Sequence, residues 1–168
     1  NFQMSASNGR DAKDTWPAMY QLIAKANDVL RNVPGMKISD EVKNNALGQA
    51  YFYRAFAYLW IAPFYGDNGP NGGIPIVTEN TPTSDLDQPR PSSVLANYDM
   101  IISDMDKAAE LLPYFSQLAD EDYGRPHKAA CWGFAARAAL YASQFDASYY
   151  DKVITYCDKI INMTGADK

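Results

Sequence analysis

The sequence predicts an all-α protein of about five helices, arranged as repeated helix pairs with long irregular loops. Two segments have nearly the same pattern, YFYRAFAY at 51–58 and FAARAALY at 134–141. Relative to Arg54 and Arg137, an aromatic residue lies three positions earlier and a tyrosine lies four positions later. Offsets of three and four place side chains on one helix surface, so the pattern indicates a repeated helix. Such helix pairs cannot bury their apolar faces alone, and proteins built from them usually bind other molecules.

Helix 1 is predicted from residue 14 or 15 to about residue 32, after a polar loop over 1–14. Pro17 then lies in the first turn, where a backbone N–H would have no acceptor within the helix, so proline costs no hydrogen bond. Apolar side chains from Trp16 to Leu30 recur at intervals of three or four, the spacing of one buried helix face. The breaker triplet Val33-Pro34-Gly35 ends the helix.

Helix 2 is predicted to begin after Ser39, whose hydroxyl can cap the first turn, and to continue to about Ile61. Pro63 and Gly66 close it. Prolines and glycines then recur through 67–91, which predicts an irregular connection of about 25 residues, and loops of that length are usually functional or disordered.

The remaining three helices are each bounded by capping or breaking residues. Helix 3 is predicted from Ser92 or Ser93 to Leu112, helix 4 from about Pro126 to Gln144, and helix 5 from about Ser148 to Met163. Helices 1 and 2, and then helices 3 and 4, should pack as antiparallel pairs, with helix 5 beginning a further pair. Each repeated helix should bury at least one small side chain where backbones approach closely. The candidates are Ala55, Ala57, Ala138 and Ala139.

Charge and composition exclude several classes of protein. The chain has 168 residues and a net charge of −5, which argues against nucleic-acid binding because that requires a basic surface. No apolar run approaches the roughly 20 residues of a membrane-spanning helix. The twelve tyrosines suit helix interfaces and carbohydrate or peptide surfaces alike, since the ring is apolar and the hydroxyl is polar.

No constellation of catalytic residues is evident. His127 is the one histidine, predicted at the exposed start of helix 4 with a structural role, so a serine or cysteine nucleophile lacks another imidazole base. A glycosidase needs two opposed carboxylates, and the spacing of the acidic residues in the 67–91 loop does not identify such a pair. The glycine-rich stretch 68–73 lacks the lysine and the strand-loop-helix context of a phosphate loop. We therefore predict no enzyme activity, no cofactor and no metal site.

Several arginines and tryptophans have structural interpretations besides ligand contact. Arg54 and Arg137 could clamp a ligand, but a guanidinium that reaches carbonyls or acids at a helix junction is the favoured interpretation. Trp16, Trp60 and Trp132 lie on helix faces with apolar neighbours, which predicts core positions.

Four motifs follow one another between about residues 16 and 161. They are WxxMYxxIxxANxVL from Trp16, AxxYRAFAY from Ala50 with YGD and GIPIV after it, RPSSV from Arg90 with IxDMxxAxxLLP after it, and GRPxKAA from Gly124 with AARAALY after it. In this order they resemble the SusD/RagB family of outer-membrane nutrient-binding lipoproteins, whose cores contain tetratricopeptide-like helix pairs. One departure is the added stretch 68–72, where the family commonly runs more directly.

The resemblance implies tetratricopeptide-like hairpins in a surface lipoprotein of the outer membrane, with an anchor cysteine upstream of Asn1. Such a protein captures an oligosaccharide or peptide and delivers it to a SusC-like TonB-dependent barrel transporter. We expect residues 1–168 to be a fragment of one SusD-like α-helical domain, truncated at both ends. Its parts are a loop over 1–14, helices 1 and 2 over 15–65, a long loop over 66–91 and helices 3 to 5 over 92–164. The alternative is a tetratricopeptide-type adaptor that binds a peptide or protein in its concave groove.

Ligand sites in the family lie on loops at one end of the helical core, including the segment just before helix 1. By that position, the resemblance makes Phe2, Asn8, Arg10 and Asp11 the candidate ligand contacts. An aromatic ring can stack on a sugar ring, and polar side chains can hydrogen-bond to its hydroxyl groups. The 67–91 loop is the next candidate, either for the ligand or for the transporter.

Overall fold

The computed structural model describes residues 10–164, with the side chains of residues 14–164. Five helices form this part of the chain: α1 (Arg10–Asn32), α2 (Asp40–Tyr65), α3 (Leu95–Leu111), α4 (Lys128–Ala142) and α5 (Tyr149–Ile161). Short 3-10 turns lie at Val33–Gly35, Phe115–Gln117 and Asp120–Asp122. No strand occurs within the described residues, so the predicted all-α class is confirmed. None of the described helices is long and apolar enough to span a membrane.

The start of α1 differs from the prediction. Residues 10–14 are the first turns of the helix and not the end of a loop, and Pro17 lies inside the helix. A proline inside a helix removes one backbone donor. Trp16 and Tyr20, on either side of Pro17, place their ring centroids 5.0 Å apart, and this contact stabilises the turn. The prediction put Pro17 in the first turn because that is where proline is commonest in helices.

The end of α2 also lies later than predicted. The helix passes through Pro63 and ends at Tyr65, before Gly66. Ile61 and Ala62 in the turn around the proline are fully buried, and the Gly66 N–H donates to the Ala62 carbonyl at 2.9 Å. Burial of this turn offsets the donor that Pro63 lacks. The bounds of α3, α4 and α5 agree with the predicted ones to within three residues.

Each helix packs antiparallel to the next one along the chain. For α1 and α2, the contacts that show this are Trp16 with Tyr65 and Asn27 with Arg54. For α2 and α3, they are Gly48 with Leu112 and Gly66 with Val94. For α3 and α4, they are Tyr98 with Tyr141 and Pro113 with Lys128, and for α4 and α5, Trp132 with Lys159. The predicted α1–α2 and α3–α4 pairs are confirmed. That α5 begins a further pair stays a prediction.

Small side chains line the helix contacts. Ala55, Ala57, Ala138 and Ala139 have no exposed surface, so the predicted close approach at both repeated helices is confirmed. Gly48 has the same role, since a Cβ atom there would lie 2.8 Å from a leucine side chain that follows α3. Larger residues at these positions would separate the helices, because protein interiors leave no spare volume.

Candidate functional site

The four predicted ligand contacts lie at or before the start of α1. Phe2 and Asn8 lie outside the described residues, and Arg10 and Asp11 belong to the first turn of α1, where side chains are not described. Their role as ligand contacts stays a prediction. The described surface next to these residues is formed by the following turns of α1, the end of α2 and the 67–91 loop.

Trp16 is the centre of an aromatic cluster at this end of α1. Its ring centroid lies 5.0 Å from that of Tyr20 and 5.1 Å from that of Tyr65 at the end of α2. The guanidinium of Arg90 lies 5.8 Å from the Trp16 ring and donates to the carbonyls of Tyr65, at 3.2 Å, and Gly73, at 3.0 Å. Trp16 is half-buried, so its predicted core position is confirmed only in part. The cluster joins three segments within about three helical turns of the start of α1.

The added stretch after α2 forms a closed turn. The Asp67 N–H donates to the Gly72 carbonyl at 2.8 Å, and the Gly69 N–H donates to the Asp67 carboxylate at 2.7 Å. A Cβ atom at Gly72 would lie only 2.1 Å from that carboxylate, so the turn requires glycine there. Asn71 has a φ of 60°, in the left-handed region that asparagine tolerates better than most residues. The chain therefore leaves the turn close to where it entered.

Residues 74–79, called the strap below, lie across α1 and α2. The Tyr20 hydroxyl donates to the Pro75 carbonyl at 2.7 Å, and the Tyr58 hydroxyl accepts from the Val77 N–H at 2.9 Å. Burial raises the pKa of Tyr58 to about 12, so its hydroxyl stays protonated. Side chains of two helices thus satisfy the backbone of the strap, as a neighbouring strand would in a sheet.

Two buried asparagines complete these contacts. Asn97 of α3 accepts from the Ile74 N–H and donates to the Ile74 carbonyl, both at 2.8 Å. Asn27 of α1 donates to the Val77 carbonyl at 3.0 Å and accepts from Arg54 at 2.7 Å. A buried amide is costly unless it is hydrogen-bonded, so each asparagine fixes the position of the strap.

Arg54 is the buried centre of the scaffold, with 2% of its surface exposed. Its guanidinium donates to both carboxylate oxygens of Asp104 on α3, at 2.7 and 2.9 Å, and to the carboxylate of Glu79 on the strap. Burial alone would lower the pKa of Arg54, but the hydrogen bonds to Asp104 and Glu79 raise it, so the side chain stays charged. The predicted contact between Arg54 and acids at a helix junction is confirmed. This contact locks the strap onto α2 and α3.

Arg137, at the equivalent position of the sequence repeat, has a different environment. Its side chain is exposed, its guanidinium donates to the Tyr141 hydroxyl at 3.2 Å, and it lies 5.6 Å from the centre of that ring. Within the described residues its partner is therefore an aromatic ring on its own helix. The predicted contact with a carbonyl or an acid is wrong for Arg137.

A groove with exposed aromatic rings runs between α2 and α4. This α2–α4 groove has a volume of about 90 Å³ and is lined by Phe56, Leu59, Trp60, Pro63, Phe64, Phe134, Arg137 and Tyr141. Trp60 is 47% exposed and Phe64 is 77% exposed, so the predicted core position of Trp60 is wrong. Residues 55–64 of α2 are apolar on all sides of the helix, and helical spacing alone does not tell which of them contact another helix. Trp132, the third tryptophan, is half-buried.

A further cleft, of about 220 Å³, lies between α1 and the 67–91 loop. Its lining consists of Tyr20, Ile23, Ala24, Asn27, Asp28, Arg31, Val77, Thr83 and Leu86. Two of its polar side chains already have partners: Asn27 bonds to the strap, and Arg31 donates to the Glu79 carbonyl at 3.1 Å. The cleft thus offers a ligand mainly apolar surface, and a binding role of the loop stays a prediction.

His127 lies at the N-cap of α4 and is half-buried, whereas the sequence predicts an exposed residue there. Phe115 contacts His127, and its ring meets the imidazole edge-on with centroids 5.3 Å apart. His127 lines a third cleft, beside the start of α4. No local motif predicts this cleft, because its walls come from segments far apart in the chain.

The described residues form antiparallel helical hairpins with exposed aromatic surfaces and a loop held by buried hydrogen bonds, which is the architecture of a binding scaffold. A SusD-like family model, described as starch-binding associating with outer membrane, matches residues 3–140. The chain belongs to the SusD/RagB family.

Individual relatives agree with this assignment. SusD-like protein P2 of Formosa agariphila is 32% identical over 149 residues, covering 86% of this chain and 27% of that protein. A SusD-like carbohydrate binding protein from Bacteroides vulgatus is 30% identical with a TM-score of 0.73, over 92% of this chain and 33% of that one. A laminarin binding SusD-like protein has the same fold, with a TM-score of 0.72 at 18% identity, over 90% of this chain and 30% of that one. The chain thus spans about a quarter to a third of the length of these proteins.

Proposed function

We propose that the protein binds oligosaccharides at the cell surface and delivers them to a SusC-like TonB-dependent barrel in the outer membrane. The family is described as starch-binding and associated with the outer membrane, which supports glycan binding at that membrane. Delivery to the barrel is what the sequence resemblance implies. A protein with the same fold binds laminarin, which supports a glucan as the ligand. As the sequence resemblance implies, the protein would be a surface-exposed lipoprotein.

The observation that carries the proposal is the rigid aromatic end of α1. Trp16 is held by Tyr20, Tyr65 and Arg90, so its ring has a fixed position. A fixed aromatic ring loses little conformational entropy on stacking against a sugar, and preorganisation of this kind raises affinity. We place the ligand beside this cluster, in contact with Phe2, Asn8, Arg10 and Asp11.

The two acids bonded to Arg54 favour binding over catalysis. The carboxylates of Asp104 and Glu79 both accept hydrogen bonds from the Arg54 guanidinium, which lies between them. A glycosidase needs one carboxylic acid that can protonate the leaving group and a second carboxylate facing the substrate. Carboxylates that are bonded to a buried arginine supply neither function, so we assign these two acids no catalytic step.

Calorimetric titration of the full-length protein with malto-oligosaccharides and laminarin oligosaccharides tests the proposal. The combined Phe2→Ala, Arg10→Ala and Asp11→Ala variant should bind at least about tenfold more weakly, because it loses a stacking ring and two hydrogen-bonding groups. Affinity should depend little on salt, unlike that of an ionic site.

The matched control changes Lys25, Tyr150 and Asp151 to alanine, since these side chains are exposed and lie outside the aromatic cluster. It should bind like the parent. Binding of neither glucan by the full-length parent protein would overturn the proposed function. Equal affinity of the two triple variants would move the site away from the start of α1.

Peptide binding in the α2–α4 groove is a second candidate function, and the exposure of Trp60 and Phe64 favours it. Arg137 is the one charged residue in the groove lining, so an apolar peptide would fit better than a sugar. A displayed peptide library selected on the chain should enrich apolar sequences if this function is real. Enrichment should disappear with the combined Trp60→Ser and Phe64→Ser variant, and unchanged enrichment would exclude the groove.

A further inference from the structure

The third cleft lies between α2, the 3-10 turns before α4, and the first turn of α4. It has a volume of about 290 Å³, and we call it the α4 cleft. Its lining consists of Phe52, Tyr53, Phe115, Gly124, Arg125, Pro126, His127, Ala130 and Phe134. None of these residues belongs to the Trp16 cluster or to the strap, so the α4 cleft is separate from the site proposed above.

Exposed aromatic rings form the walls of the α4 cleft. Phe115 is 40% exposed, and its ring stacks on that of Tyr123 with centroids 5.3 Å apart and planes inclined by 25°. Tyr53 on α2 is 37% exposed, and its ring meets that of Phe52 at 89°. The stacked pair and the perpendicular contact hold the rings in place. Fixed, solvent-facing rings of this kind suit the apolar face of a sugar ring.

The imidazole of His127 is a polar group in the wall of the same cleft, and its burial fixes the position of its proton. Nδ1 of His127 is the buried side-chain nitrogen that, among the described residues, lacks a hydrogen-bond partner. Burial lowers the pKa of His127, so the imidazole is neutral near pH 7. A proton on Nδ1 would be a buried donor without a partner, so the neutral ring should carry its proton on Nε2.

The charged residue at the cleft is oriented by a neighbour. Nε of Arg125 lies 2.9 Å from the Asp122 carboxylate, while 53% of the Arg125 side chain remains exposed. The ion pair of Arg125 and Asp122 has no net charge, and it places the guanidinium at the rim of the cleft. Together with the Tyr53 hydroxyl and the His127 imidazole, it surrounds the aromatic walls with groups that can bond to hydroxyls.

We propose that the α4 cleft is a second glycan subsite that holds one pyranose ring, stacked on Phe115 and hydrogen-bonded by the Nε2–H of His127 and by Arg125. The proposal rests on the proposed glycan-binding function and adds a contact remote from the start of α1. The volume of about 290 Å³ is at the small end of ligand pockets, which limits the occupant to about one ring. The alternation of rings and polar groups favours a sugar over an apolar peptide, because buried apolar side chains would leave those groups without partners.

His127 is the only histidine of the chain, so its imidazole gives one set of NMR signals. The test is titration of the 168-residue chain with malto-oligosaccharides and with laminarin oligosaccharides, observed through these signals. We expect a saturable shift of the His127 signals with at least one of the two glucans. Phe115→Ala should weaken the binding seen at His127 by about tenfold, because a stacking contact is lost.

Two variants make the test decisive. Tyr53→Ala removes a second exposed ring and should also weaken binding at His127, whereas Tyr150→Ala removes an exposed ring on α5 and should not. Thermal melting checks that each variant is folded. Glucan binding detected by calorimetry without any shift at His127, in folded protein, would overturn the subsite and leave the proposed function standing. Absence of calorimetric binding of both glucans would overturn the two together.

Discussion

Arg54 and Asp104 form a buried ion pair that joins α2 to α3 through two parallel hydrogen bonds, 2.7 and 2.9 Å long. Their side chains are only 3% and 2% exposed. Removing one member of such a pair leaves the other charge buried without its partner, which costs far more than the intact pair contributes. The same guanidinium holds Glu79, so the position of the strap depends on this pair as well.

Asp104→Asn should lower the free energy of unfolding by about 3–5 kcal/mol, because Arg54 then lacks its main counter-charge in the core. Urea unfolding at pH 7 measures this change. Arg137→Ala is the control: it removes the exposed arginine of the sequence repeat and should change the free energy by no more than about 0.5 kcal/mol. Similar losses in both variants would contradict the different roles of the two arginines.

Glu79→Gln should loosen the strap while the helices stay folded. Burial alone would raise the pKa of Glu79, but the hydrogen bond and the charge of Arg54 lower it below its ordinary value of 4.5. The stabilisation by Glu79 is therefore present above about pH 4.5 and is lost as the pH falls through the lowered pKa. Partial exposure of Glu79 limits this stabilisation to about 1 kcal/mol.

Hydrogen exchange of the Val77 amide, corrected for its intrinsic rate, measures this loosening. The Glu79→Gln variant should exchange faster than the parent at pH 7, and the difference should shrink at pH 3. Asp87→Asn, which changes an exposed acid of the same loop, should exchange like the parent. Identical exchange in all three proteins at pH 7 would show that Glu79 does not hold the strap.

Ala138→Leu should overpack the contact between α4 and its neighbours and cost about 1–3 kcal/mol of unfolding free energy. Ala138 has no exposed surface, so the added carbons have no free volume to occupy. Ala24→Leu makes the same change at an exposed position of α1 and should leave the melting temperature nearly unaltered. Equal melting of both variants would mean that α4 can move away from its neighbours at little cost.

Gly72→Ala should distort the closed turn, since its Cβ atom would lie 2.1 Å from the Asp67 carboxylate. We expect a loss of about 1–3 kcal/mol in thermal or urea unfolding. Gly35→Ala is the matched change, because a Cβ atom at Gly35 meets no atom within 4 Å. That variant should be neutral or more stable by up to about 1 kcal/mol, as the unfolded chain becomes less flexible. Equal effects would contradict the steric argument.

The helices and their pairing could be predicted because their signals are local. Apolar spacing and breaker residues lie within each segment, and the buried alanines at 55 and 138 belong to the same patterns. The helix bounds failed at Pro17 and Pro63, where packing of the surrounding turns outweighs the missing backbone donor. Trp60 was misplaced because the sequence around it is apolar on every side of the helix.

The partners of Arg54 could not be predicted from sequence. Glu79 and Asp104 lie 25 and 50 residues further along the chain, and their meeting depends on the path of the strap. The α4 cleft has the same origin, since Tyr53 and His127 share no local pattern. The predicted ligand contacts at the start of α1 rest on the family resemblance, and they remain a prediction.

Because the turn at 67–72 is closed at its base, additional residues could be inserted at its tip without displacing the rest of the fold. Its base is fixed twice, since the Asp67 N–H bonds to the Gly72 carbonyl and the Asp67 carbonyl accepts from the Val94 N–H at 3.0 Å. Residues added between 68 and 71 would extend outward from this base, at an entropic cost that grows only slowly with length. A fluorophore or affinity tag placed there would leave the strap and the buried Arg54 undisturbed, which gives this protein a built-in attachment site for binding measurements.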